Sequence, residues 1–465
     1  MELYIYLIKV CSRIPSYVCG HISSGERLLS EGEKVMSSKT NNRIFKFKWR
    51  YTVASVFFLP ELAFAQSMTH APNMTSAESV APAQSMTPPP SVSPGAAAVQ
   101  TLPTNVAGVR IVPPPPAGFN PLTASAHDRQ LYAIPPAPNA TANPGAFGEW
   151  LRAMTGPRNS ALVPTVSQTN IKHGPVKLAP GSSSPGTSSS PANQNPGSTK
   201  GSANGVSNAG TTTYSYNWSG PSFYDTTIKP FAVSAIIGEF TVPTVRQAFG
   251  GCDGGWDYSS EWAGIDGFGS NDVMQAGIEA DAYCNGSTRA TFYSAWVEWY
   301  PYSESRVTVP SINPGDVVFV QIWNVSSTVG YAYFYDFSTL SSAEYQLTAP
   351  SGTTLVGNSA EWVVERPSVG ANLATLANYI DASWPYNVAW TYAAANPAYY
   401  LPGYTSGFGT TQLYSITMLD NNGNPISTGT AQNNDFLYFE NYGSSLGSGT
   451  SPYALGPAIV ATGSH

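Results

Sequence analysis

The sequence from Thr211 to the C-terminus predicts an all-β fold, a sandwich of two antiparallel sheets, on three observations. Short apolar, aromatic and β-branched runs recur: Val233–Val242, Thr288–Tyr300, Asp316–Val325, Gly330–Phe337, Asn387–Ala393, Gln412–Leu419 and Asp435–Glu440. Clusters of Gly, Pro, Asn, Asp and Ser separate them. No long helical period appears, although Ala371–Tyr379 has the spacing of a short helix. Roughly 255 residues of this kind suit one large sandwich, with a barrel as the alternative.

Two of these stretches combine a core face with a polar one. In Ser359–Pro367 (SAEWVVERP) successive side chains alternate, so Trp362 and Val364 share one face while Glu361, Val363 and Glu365 share the other. In Asn271–Glu279 (NDVMQAGIE), Met274, Ala276 and Ile278 face one way; Val273, Gln275, Gly277 and Glu279 face the other. Carboxylates on a strand that otherwise looks buried are costly unless partnered. The expectation is that Gln275 and Glu365 meet across one groove.

Charge narrows the function. Charged residues are 11% of the 465-residue chain. From Thr211 onward five basic residues stand against twenty acidic ones, a formal net charge of −15. Nucleic acid and anionic membrane are poor partners for such a surface. Self-repulsion would ease in an acid environment. The five histidines are His21, His70, His127, His173 and His465, so none lies between Thr211 and Ser464. That segment lacks the imidazole for a Ser–His or Cys–His pair or a His-ligated metal. No motif indicates a cofactor. A compact acidic domain is compatible with a monomer.

Ahead of the sandwich the composition changes. From Met36 the chain resembles an export signal, with Met36 a candidate start. Arg43, Lys46, Lys48 and Arg50 form a basic head, Tyr51–Leu59 an apolar run, and Ala63-Phe64-Ala65 a cleavage site after Ala65. The run is too short for a transmembrane helix; a buried strand is the other reading. Residues 1–65 are thus expected to be removed and the product secreted, extracellular or periplasmic. Residues 66–210 are rich in Pro, Ser, Ala and Gly, and the stretch from Gly181 reads as a flexible tether. Between them Leu131–Met154 is an ordered island ending in a short helix from Pro144. A largely disordered leader with one ordered island suggests a pro-segment, or else a surface-spanning stalk. The domain expected to follow is 211–465.

After export two cysteines remain, Cys252 and Cys284. Glu261–Asp266 and Asp272–Glu279 read as a hairpin around Gly267–Asn271, with paired positions adding to about 539. The cysteines then lie almost opposite each other at its open end. An oxidising compartment would pair them. Closing that loop contributes roughly 3–4 kcal/mol in the chain-entropy picture.

Five blocks carry a resemblance. NWSGP at Asn217, EWAGIDG at Glu261, VMQAGIE at Val273, AWVEWYP at Ala295 and AEWVVERP at Ala360 occur in that order. Together they resemble the glutamic peptidases, or eqolisins, and the leader (LYAIPPAPN, GEWLRAM) resembles the pro-segments of bacterial members. The resemblance implies a concanavalin-like sandwich with a groove on its concave sheet. It implies acid endopeptidase activity on polypeptides from a catalytic dyad, Gln275 and Glu365, in a precursor that processes itself. It also implies substrate-binding roles for Trp218, Trp262, Asp266 and Glu298. Two departures stand out: Ser294 replaces a family Asp, and the Tyr-rich region after Trp390 has no counterpart.

The chemistry agrees with those residue types. A carboxylate can take a proton from water and return it to the leaving amine. A neutral carboxamide N–H can hold the tetrahedral oxyanion. The blander readings are an ion pair of Glu365 with Arg366, a solvated Gln275, a turn-forming Asp266 and core tryptophans, with Trp299 assigned to the core. Two other functions compete. A glycoside hydrolase would pair Glu298 with Glu365 or Glu361, and a non-catalytic sandwich would stack its aromatic residues on sugars.

Overall fold

In a computed structural model, residues 99–158, 162–185, 211–248, 252–379, 382–392, 398–402, 412–433 and 436–441 are described, together with strand segments at 37–40, 43–46 and 459–460. The strand runs read from the sequence form two large sheets. In chain order the elements used below begin with β1 (Val109–Val112), α1 (Ala126–Leu131), α2 (Pro144–Thr155), β2 (Val166–Gln168) and β3 (Ile171–Lys172). The sandwich proper has β4 (Trp218–Tyr224), β5 (Ala235–Thr241), β6 (Ser260–Ile265), β7 (Met274–Asn285) and β8 (Thr288–Trp299). It continues through β9 (Ser305–Val307), β10 (Val317–Asn324), β11 (Val329–Asp336), β12 (Ser341–Thr348) and β13 (Ser359–Glu365). The last strands used are β14 (Gln412–Leu419), β15 (Pro425–Asn433) and β16 (Phe436–Asn441).

The first sheet runs β16–β15–β14–β4–β13–β6–β7–β8–β9–β2, and the second runs β5–β10–β11–β12–β1. Their facing sides make the core. Ala263 and Ile265 of β6, Met274, Ala276 and Ile278 of β7, and Trp362 and Val364 of β13 come from one sheet; Ile236, Phe240, Val320, Ile322 and Phe334 come from the other. Trp362 Nε1 donates to Ile237 O at 2.7 Å, a polar tie across that interface. The alternation read from the two key stretches therefore holds, and the opposite face of the first sheet carries the polar residues. Trp299 lies in the core as expected.

The hairpin register is as expected. Ser260 pairs with Glu279 and Gly264 with Gln275, and the same register continues at Asp257 and Ala282. Cys252 and Cys284 form a disulfide at the hairpin's open end.

One local expectation fails. Ala371–Tyr379 is not helical: Asn372–Leu373 turns back on Ser368–Val369, and Asn378–Tyr379 pairs with Val245–Arg246. Strand partners override a weak local period there. In the leader the helix expected from Pro144 is present as Pro144–Thr155, with Pro at its start. In addition β1 joins β12, and β2 joins β9. Short apolar runs find unpaired sheet edges, and edge pairing satisfies backbone groups that low complexity alone would leave in water. Much of the tether, 186–210, lies outside the described residues.

Residues 1–81 form a separate unit. Its described part is a hairpin, Ser37–Thr40 with Arg43–Lys46, where the sequence places the basic head of an export signal. Tyr51–Leu59 and Ala63–Ala65 lie outside the described residues. No helix among the described residues is long and apolar enough to cross a membrane.

Candidate active site

The site lies on the outer face of the first sheet, and sheet register explains its membership. One row across the strands reads Glu361, Gly264, Gln275 and Glu298. A second reads Val363, Trp262, Gly277, Trp296 and Arg306; a third reads Glu365, Ser260, Glu279 and Ser294. All of these point the same way because they are separated by even steps. Gly277 keeps the middle row open. A Cβ there would fall 2.5 Å from the Trp262 Cβ, with the Glu261 carbonyl closer still.

A segment of the leader crosses this face. β3 pairs with Ser368–Val369. Thr169 N–H donates to Glu304 O at 3.0 Å, Glu304 N–H to Ile171 O at 2.9 Å, and Val176 N–H to Gly267 O at 3.1 Å. His173 is thereby set into the floor, fully buried.

His173 touches both members of the expected dyad. Its carbonyl accepts a short hydrogen bond from Gln275 Nε2. Its backbone N–H donates to Glu298 Oε1 at 3.2 Å. Its Nδ1 is 3.4 Å from Glu365 Oε2, and its Nε2 lies 3.1 Å from Glu279 Oε1 and 3.4 Å from Glu304 Oε2. The ring stacks on Trp296 at 3.9 Å between centroids and 7° between planes.

Glu365 is held from other sides as well. Trp262 Nε1 donates to its Oε2 at 2.8 Å, and Asn217 Nδ2 to its Oε1 at 3.2 Å. Asn217 also donates to Pro175 O at 3.2 Å, while its Oδ1 accepts from Lys177 N–H at 2.7 Å. Gln275 Oε1 is buried without a hydrogen-bond partner among the described residues.

The electrostatics follow from burial. Burial raises the Glu365 carboxyl above its usual range, opposed by the His173 cation and the donors on Trp262 and Asn217. Burial likewise raises Glu298 (well above) and Glu279, both opposed by His173. Burial alone would pull the His173 imidazole down. The carboxylates of Glu279, Glu304 and Glu365 outweigh it and hold the ring well above its ordinary value. His173 and the acids around it thus favour one another's charged forms.

The remaining expected residues are placed as follows. Trp218 packs edge-on against Trp262 at 4.9 Å, both fully buried in a cluster with Trp296 on the groove side. Asp266 stands apart from the leader contacts. Its oxygens accept backbone N–H groups from Val356 at 2.6 Å, Gly357 at 2.9 Å and Asn358 at 3.0 Å. Its φ is 72°, and its side chain anchors the loop from Val356 to Asn358. Ser294 Oγ is buried without a hydrogen-bond partner among the described residues. Arg366 is not the partner of Glu365: it donates to the carbonyls of Tyr216, at 2.5 Å, and Leu419, at 3.3 Å.

Sequence reasoning missed His173, Asn217, Glu279 and Glu304 as site residues. Glu279 was legible, since it shares the face of Gln275. His173 was not, because it lies in the leader, outside the histidine-free sandwich. His173, Glu279 and Glu304 also bring one ligand atom each within 4.8 Å of one another, close enough for a cation. Their separations are those of ion pairs.

Comparison with known proteins finds chains of similar sequence. Residues 216–436 match the model of the peptidase A4 family. Aspergillopepsin-2 of Aspergillus niger is 30% identical over 184 residues, 36% of this chain and 61% of that protein, so the match spans about three fifths of the relative's length. The crystal structure of scytalido-glutamic peptidase with a transition state analog inhibitor aligns at 17% identity, TM-score 0.38, over 49% of this chain and 98% of that one. Aspergilloglutamic peptidase from Aspergillus niger aligns at 22% identity, TM-score 0.33, over 40% and 99%. Residues 216–436 are thus similar to the peptidase A4 family, the glutamic peptidases.

Proposed function

We propose that the protein is an acid endopeptidase made as a secreted, self-processing precursor, with Gln275 and Glu365 as its catalytic dyad. One observation carries this reading. A polypeptide segment already lies in the groove, with one carbonyl on the Gln275 amide and the same residue's ring against Glu365. A groove that engages a peptide's N–H and C=O favours a peptidase over the carbohydrate-based alternatives.

In a productive complex the Glu365 carboxylate takes a proton from water, and the resulting hydroxide adds to the scissile carbonyl carbon. Gln275 Nε2 donates to the oxygen as it gains negative charge. The C–N bond then breaks, and the proton on Glu365 passes to the leaving nitrogen. Trp262 and Asn217 orient Glu365, and Glu298 accepts from a substrate N–H, as it does from His173.

The leader blocks this cycle. Its His173 ring occupies the approach to Glu365 and its carbonyl occupies Gln275. The sign of the shift says how the block lifts. A raised imidazole is charged at every pH below its elevated value, so acid cannot release it by discharging the ring. Acid acts on the carboxylates. Burial holds Glu279 above its usual range, so as it takes up a proton the buried imidazolium loses counter-charge, which is unfavourable.

The test is cleavage of a denatured protein by purified full-length protein across the pH range. Cleavage confined to acid, and lost in Glu365→Gln and Gln275→Ala, is expected. Full activity above neutral pH, or survival of activity in Glu365→Gln, would contradict the proposal.

A further inference from the structure

The pocket that receives the His173 ring is built for a cation. Its wall is the face of Trp296, which attracts positive charge and planar groups. Its end is lined by Glu279 from β7 and Glu304 from the segment before β9, with Asp281 two residues beyond Glu279 on the same face. Glu365 of β13 closes the near side, and Glu298 of β8 faces the backbone. Arg306 has its Nε 3.5 Å from Glu304 Oε1 and its guanidinium over Phe292, and Lys177 acts on Glu365 from the other side. Against the acids named above, His173 adds positive charge inside the pocket itself. The residue inserted here is also the one whose carbonyl rests on Gln275.

We propose that this pocket selects a cationic side chain on the residue that supplies the attacked carbonyl, so that the protein cleaves after Lys, Arg or His. The inference rests on the peptidase reading and names its substrate class. An apolar side chain would leave buried carboxyl groups without a partner, and sites of that kind reject such substrates strongly. Protonation of these carboxyls weakens the selection, so the comparison is made at the highest pH at which the protein cleaves.

The experiment uses full-length protein activated by acidification and a set of peptides identical except at one position, X, set to Lys, Arg, His, Leu, Phe or Glu. With kcat/KM read for cleavage after X, the cationic residues should exceed Leu and Phe by roughly tenfold or more, and Glu should be poorest. In Glu279→Gln and Glu304→Gln the Lys-to-Leu ratio should fall several-fold, and Glu279→Asp should restore part of it. A merely structural effect would lower both peptides together and leave the ratio in place. Leu or Phe cut as well as Lys by wild type overturns the inference and leaves the peptidase reading intact. No cleavage of any peptide or denatured protein in acid overturns both.

Discussion

The leader covers two faces of the sandwich by opposite kinds of contact. On the outer face of the second sheet, α2 lays Ala146, Trp150, Ala153 and Met154 against Ile237, Phe319, Tyr333 and Trp390. Its hydrogen bonds to the sheet come from neutral donors: Tyr333 OH to Ala153 O at 3.1 Å, Tyr335 OH to Pro157 O at 2.6 Å and Gln321 Nε2 to Pro136 O at 2.7 Å; the Arg152 guanidinium lies over the Phe337 ring. Glu239 beneath is pushed up to about 9 by burial, so it already carries its proton at neutral pH. On the groove face, the same leader is held by the His173 ring, which lies within 3.1–3.4 Å of Glu279, Glu304 and Glu365. Apolar contact is indifferent to acid, whereas the ionic contact depends on it. The leader should therefore let go of the groove first and the back face last.

Four expected outcomes test that contrast. The largest falls on the chemistry of the groove. Glu365→Gln should lower cleavage by about 10²–10⁴, and Gln275→Ala by about 10²–10³, both measured as kcat/KM on an acid-activated preparation. Equal losses from a back-face change such as Met154→Ala would erase the distinction.

Next is the latch. His173→Gln removes the charge that the acids hold, so full-length His173→Gln should cleave denatured protein at neutral pH at least roughly tenfold faster than wild type. No gain at neutral pH would mean that the ring does not hold the groove shut.

The third falls on the back face. Trp150 is 4% exposed, and Trp150→Ala should cost about 3–5 kcal/mol of local stability. Urea unfolding followed by a probe on α2 should show the same cost at neutral and at mildly acid pH. A cost that vanishes in acid would show that this face titrates too.

The smallest concerns the whole fold. Burial lifts Glu239 to about 9, Glu261 to about 8 and Asp257 to about 6. Each lies above its unfolded value, so the native state binds more protons than the unfolded chain across that window. Stability is then highest in acid and falls as pH rises through the elevated values. The melting temperature should drop by several degrees between mildly acid and mildly alkaline pH; a rise would reverse the assigned direction.

Much of this was legible before any coordinates. Alternation on the two key stretches places Gln275, Glu279, Glu361 and Glu365 on one face, because a strand's period leaves no choice once Trp362 and Met274 are in the core. The hairpin arithmetic gives the register and brings Cys252 to Cys284. Gln412–Leu419 falls on β14 residue for residue. The leader was not legible. Its strands are two to four residues long and gain their partners only from edges supplied by distant sequence, and its histidine acquires a role only when threaded over Trp296. Asp266 accepts backbone N–H groups from a loop about ninety residues away, a partnership that no local pattern encodes.

The central claim is that the leader seals a groove whose own Gln and Glu can cut it away. The most direct measurement is the intact mass of full-length wild type and Glu365→Gln after the same acidification. The account predicts that wild type shortens from its N-terminus to a point between Gln66 and Ala209 while Glu365→Gln keeps its full mass. Wild type that stays intact, or Glu365→Gln that shortens equally, would contradict it.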